Sequence, residues 1–149
     1  MSLFDMMNIS GSALAAERQR AEVTSANLAN AETTHTESGG PYVRKQVVFE
    51  NSTGASFENV FNNAGNASQA PAGAVHISQI IDDTTPPVQR YEPGNPDADK
   101  AGYVSYPAIN PVSEMVDLMG SVRAYQLNAS AVGAAKQMIQ ESIDILKTT

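Results

Sequence analysis

The chain has 149 residues, of which 42% are apolar, with no cysteine, no tryptophan and a net charge of −7. The missing cysteine excludes a disulfide-stapled domain, a thiol nucleophile and a Cys-based zinc site. The acid excess, without any run of Lys or Arg, excludes the cationic face that nucleic acid or an anionic membrane surface requires. The apolar fraction is weighted towards alanine, with 21 Ala against 30 Leu, Ile, Val and Phe together. Alanine buries little area, so the chain is short of large side chains for a core of its own.

The first segment, residues 3–31, reads as a helix. Ser2 is a candidate N-cap, with Asp5 three positions on as an imperfect capping box. Two apolar stripes run along it: Leu3, Met7, Leu14, Ala21 and Leu28, then Met6, Ile9, Ala13, Ala16 and Val23. A helix with two apolar stripes has two neighbours. The start, MSLFDMMNIS, has no basic region ahead of its apolar part and carries Asp5 within it, unlike a cleavable secretory signal. At the far end of this helix, Ser25, Asn27, Asn30 and Thr33 admit two readings. They terminate the helix, as Asn and Thr favour caps and turns, or they hydrogen-bond to another helix and fix its register.

The middle, residues 34–110, holds seven of the nine aromatics and seven of the eight prolines, and reads as β-rich. Strand candidates are residues 42–50, YVRKQVVFE, residues 74–81, AVHISQII, residues 88–91, VQRY, and residues 102–107, GYVSYP. Residues 51–73 are rich in Asn, Ala, Gly and Ser and are expected to form a long flexible loop. PGNPDAD at 93–99 is a turn cluster.

From Pro111 to about Lys147 the chain reads as a second long helix, with proline at its first turn. Met115, Leu118, Val122, Tyr125, Ala129, Val132, Lys136, Ile139, Ile143 and Leu146 follow one another at alternating three- and four-residue steps, a heptad pattern. A second line runs through Val112, Val116, Met119, Leu127, Ala131, Ala134 and Met138. Arg123, Tyr125, Gln126 and Asn128 are candidate polar partners for the first helix; a solvated face is the other reading for Arg123 and Gln126. The expected fold is α+β. Long N- and C-terminal helices, residues 1–33 and 111–149, pair as an antiparallel coiled coil, and the small β-rich domain, residues 34–110, is inserted between them. Each helix keeps an unfilled stripe, so several such hairpins can pack side by side as a tube.

Chemistry-bearing motifs are sparse. His35 and His76 have no second ligand at metal-site spacing. Asp82 and Asp83 precede a Thr-Thr-Pro-Pro turn and read as a solvated turn rather than a catalytic pair. Asn95, Asp97 and Asp99 have the spacing of the first ligands of a calcium loop, but Lys100 stands where glycine is needed and Tyr106 where glutamate is needed. No phosphate-cradling glycine loop and no nucleophile elbow occurs. No stretch is long and apolar enough to span a bilayer. The expectation is a non-enzymatic protein without catalytic residues, metal, cofactor, nucleic-acid partner or membrane insertion.

The run from Ser10 to Thr33, SGSALAAERQRAEVTSANLANAET, with its NLAN core at residues 27–30, resembles the amino-terminal motif of the flagellar rod, hook and filament-axis proteins. GPYVRKQVVF at 40–49 and the stretch from Gly102 to Ile139, with EMV at 114–116, RAYQ at 123–126 and AKQM at 135–138, are similar to the proximal-rod branch of that family. The resemblance implies a structural subunit of the bacterial flagellar basal-body rod, located in the periplasm. It implies export without signal cleavage by the flagellar type III apparatus, and partners that are other copies of the chain and other rod proteins. Its terminal helices would form the tube that transmits torque. The assembly residues expected on this basis are Leu14, Val23, Asn27, Leu28 and Asn30 in the first helix. In the second they are Met115, Leu118, Val122, Tyr125, Asn128, Val132 and Ile139. Alternatives are another axial protein, such as a different rod subunit or a hook-junction protein, or a soluble helical chaperone or adaptor.

Overall fold

A computed structural model describes residues 3–52 and 73–147. The loop expected over residues 51–73 therefore lies, apart from its ends, outside the described residues. The fold is α+β. Helix α1 spans Leu3–Ala29, strands β1 and β2 span Lys45–Asn51 and Val75–Asp82, β3 and β4 span Val88–Tyr91 and Tyr103–Tyr106, and helix α2 spans Pro111–Lys147. The strands form two separate two-stranded sheets, β1–β2 and β3–β4. At about 1.5 Å per residue, α2 is roughly 55 Å long.

The helix ends follow from local chemistry. Beyond Ala29 the helical ladder gives way to three-residue turns, Ala31 N–H donating to the Leu28 carbonyl and Thr33 N–H to the Asn30 carbonyl, while Asn30 Nδ2 donates to the Ala26 carbonyl at 2.9 Å and Thr33 Oγ1 donates to Asn30 Oδ1. The two three-residue turns satisfy the Leu28 and Asn30 carbonyls, which the helical ladder no longer serves. α2 begins where Asn110 Oδ1 accepts the Val112 N–H, with Pro111 at the first helical position.

The chain falls into two compact units. One consists of Met1–Gln19, Phe49–Ser78 and Ser121–Thr149. In it Ser12 Oγ donates to the Ile9 carbonyl and accepts the Val75 N–H, which ties β2 to α1. Its buried residues are small: Ser10, Ala16, Ala74, Ser121 and Ala135. The other unit consists of Arg20–Val48 and Gln79–Gly120. It contains the β3–β4 hairpin, which pairs antiparallel from Val88 with Tyr106 to Tyr91 with Tyr103. Val104 is buried on one face of that hairpin, and Arg90 stacks over the Tyr106 ring at 4.8 Å. Tyr91 and Tyr103 meet edge to face on the other. Gly102, with φ +84°, turns the chain into β4; a Cβ there would lie 2.9 Å from Tyr91 Cε2.

Among the described residues the buried apolar side chains are Ala16, Ala74, Val104, Pro107 and Ala135. The large ones lie outside: Val112, Met115, Val116, Met119, Val122 and Leu127 on α2 are all exposed. The alanine-rich composition is thus expressed as a thin interior beneath an apolar surface.

Candidate assembly interface

The buried polar cluster of the second unit explains how α2 is oriented. Four side chains or peptide groups converge on the carboxamide of Asn27, near the end of α1. Its Nδ2 donates to the Lys45 carbonyl at 2.8 Å and to Glu114 Oε2 at 3.3 Å. Its Oδ1 accepts the Lys45 N–H at 2.9 Å and the Tyr42 hydroxyl at 3.1 Å. Glu114, in the first turn of α2, is only 1% exposed, and Arg44 Nε donates to its Oε1 at 2.7 Å. Arg44 also lies 3.5 Å from Asp83 Oδ2, just beyond β2. A carboxylate can be buried here because both its oxygens are hydrogen-bonded and one faces a guanidinium.

The electrostatics agree with this arrangement. Burial pulls the Arg44 guanidinium down, but Glu114 and Asp83 more than offset it and hold it above its usual range. Burial raises the Tyr42 phenol, and the nearby Asp82 and Glu114 carboxylates raise it further. Asp83 is lowered to about 2, first by the hydroxyl and backbone N–H of Thr85, then by Gln46 and Arg44.

Glu114 marks the buried side of α2 at its start. Glu114, Ser121 and Ala135 are its buried residues, and Asn128 is half-buried on the same line, at seven-residue intervals. The interior line is small and polar. The two large apolar lines read from the sequence lie to either side of it, at about 100° of rotation per residue. One carries Met115 and Val122; the other carries Val116, Leu127, Ala134 and Met138, all exposed. Between those lines, opposite the buried one, runs an exposed polar strip of Arg123, Gln126, Ser130, Gln137 and Glu141.

The expected assembly residues are distributed accordingly. Asn27 is buried; Leu14, Val23, Leu28, Asn30, Leu118, Asn128, Val132 and Ile139 are half-buried; Met115, Val122 and Tyr125 are exposed. The two readings of the polar end of α1 divide between residues. Asn30 and Thr33 terminate the helix, whereas Asn27 reaches the other helix. Asn128 bonds back to the Ala124 carbonyl of its own helix. Sequence reasoning passed over Glu114, Arg44 and Tyr42 as members of the buried cluster. The signal available was the spacing of Glu114, Ser121, Asn128 and Ala135, a heptad of small and polar residues.

The calcium-like residues are engaged as turn formers. Asn95 Oδ1 accepts the Asp97 N–H, and Asp99 Oδ1 accepts the N–H groups of Ala101 and Tyr103. Among the described residues there is no group of three or more His, Cys, Asp or Glu placed to hold a metal ion, and no helix long and apolar enough to cross a membrane.

Comparison with known proteins decides the family. Residues 7–34 match the family described as "Flagella basal body rod protein", and residues 100–145 match "Flagellar basal body rod FlgEFG protein C-terminal". The chain is 38% identical to the flagellar basal-body rod protein FlgC of Bacillus subtilis, across 99% of this chain and 100% of that protein. It is 37% identical to FlgC of Escherichia coli O6:H1, across 97% and 98%, and 32% identical to FlgC of Borreliella burgdorferi, across 99% and 99%. The chain belongs to the FlgC family of flagellar basal-body rod proteins. FlgC-family proteins are structural components of the flagellar basal body rather than enzymes. Both matched segments lie largely on the helices, and the second takes in all of the buried α2 line from Glu114 to Ala135.

Proposed function

We propose that the protein is a rod subunit that polymerises through its terminal helices, with copies of itself and with other rod proteins, to transmit motor torque. The observation that carries this reading is the pair of exposed apolar lines on α2, which have no place in an isolated soluble chain. Contiguous apolar patches of this kind mark interaction surfaces. Two lines flanking a polar strip suit a helix with neighbours on both sides and water in front.

An antiparallel pairing of α1 with α2 has support in their direct links. Arg20 lies 3.7 Å from Asp117, and Asn27 bonds to Glu114, so rising numbers on one helix meet falling numbers on the other. Export through the flagellar type III apparatus, without signal cleavage, and residence in the periplasmic rod complete the reading. A thin monomer core without disulfides favours passage of an unfolded chain. Leu127→Asp tests it. The exported variant is expected to keep the wild-type circular dichroism and melting temperature, because Leu127 is exposed and surface changes cost roughly 0.5 kcal/mol or less. Cells carrying it should lack complete basal bodies. Motile cells with normal basal bodies would overturn the reading.

A further inference from the structure

We propose that Asn27 is a positioning residue that sets which faces of α2 the subunit offers its neighbours. The proposal rests on the assembly reading above and assigns its specificity to one side chain.

A carboxamide has two N–H donors and an oxygen with two lone pairs. All four positions of Asn27 are used, by Lys45 O, Glu114 Oε2, Lys45 N–H and Tyr42 O–H, and the residue is only 2% exposed. The exchange of both hydrogen bonds with the single residue Lys45 is the pattern of a bonded residue pair in an antiparallel ladder. The Asn27 side chain thus takes the place of a neighbouring strand's peptide unit beside the start of β1.

The remaining donor reaches across to α2. Asn27 and Arg44 together hold both oxygens of Glu114. Rotating α2 by one residue would bring Met115 or Ser113 to this point, neither of which carries a carboxylate whose two oxygens can accept from Asn27 and Arg44 at once. Pinning Glu114 inward therefore keeps Met115, Val116 and Met119 outward, where they are exposed. A buried polar residue that fixes helix register in this manner has precedent in coiled coils.

The chemistry selects asparagine. Aspartate lacks both donors and would face the Lys45 carbonyl and the Glu114 carboxylate. Leucine would strand the Lys45 N–H and Tyr42 hydroxyl. Glutamine is one methylene too long for the reciprocal pair with Lys45.

The test has two parts. In the exported wild-type monomer, the Lys45 amide is expected to exchange at least about 100-fold more slowly than in an unfolded chain, and Asn27→Ala should abolish that protection. Exchange at the unfolded rate in the wild type would overturn the proposal without any variant. In cells, Asn27→Asp should be exported but fail to enter the rod. Adding Glu114→Gln to it restores a donor facing the new carboxylate, and rod incorporation should recover. Normal incorporation of Asn27→Asp, or a double variant no better than the single one, would also overturn it. Leu127→Asp separates the two readings: if it blocks incorporation while the double variant fails to recover, assembly through α2 stands and the role given to Asn27 falls.

Discussion

Arg44 Nε donates to Glu114 Oε1 at 2.7 Å, joining the segment that leads into β1 to the first turn of α2 through a carboxylate that is almost wholly buried. Removing one partner of such a pair leaves the other without compensation, which is more damaging than replacing both. Glu114→Ala is therefore expected to destabilise the monomer by about 2–4 kcal/mol, read as a lower urea midpoint. A change within 0.5 kcal/mol, roughly what a neutral surface substitution gives, would contradict the buried pair.

Acid should reach the end of β2 only at low pH. The folded-state pKa of Asp83, about 2, lies below its ordinary value of 3.8. A depressed carboxylate contributes stability that is fully present above the ordinary value and is lost as pH falls through the folded one. The contacts from Thr85, Gln46 and Arg44 should thus persist at pH 5 and fail towards pH 2. Carbon-13 titration of the Asp83 carboxyl is expected to show a midpoint near 2, and a midpoint near 3.8 would contradict the hydrogen bonds drawn to it.

Gly102 offers a local test of the β3–β4 hairpin. Its φ of +84°, and the 2.9 Å that would separate an added Cβ from Tyr91 Cε2, leave no room for a side chain. Gly102→Ala should cost roughly 1–3 kcal/mol through the left-handed backbone and the displaced ring. The cross-strand Tyr91–Tyr103 contact should weaken in nuclear Overhauser spectra. Unchanged ring contacts and stability would show that the turn relaxes freely.

The helices and strands were legible because each carries its own period. β3 was read with its observed bounds, and the other strands and the end of α1 within three residues. Asn27 was legible as a polar residue out of place on a helix, though not which of two roles it takes. Glu114 and Arg44 were not legible, since an isolated glutamate near a helix start is normally solvated and favoured by the helix dipole. The large apolar series of α2 drew attention because hydrophobic periodicity weighs side-chain size. The interior line of Glu114, Ser121, Asn128 and Ala135 is small and polar, and is betrayed only by its seven-residue spacing.

The apolar lines of α2 should be open in the monomer and covered in the rod. The chain has no cysteine, so Leu127→Cys introduces a single thiol on an exposed site. Maleimide labelling of that thiol should be rapid in the dilute exported monomer and blocked in purified basal bodies that have incorporated the variant. Equal labelling in both states would contradict the account.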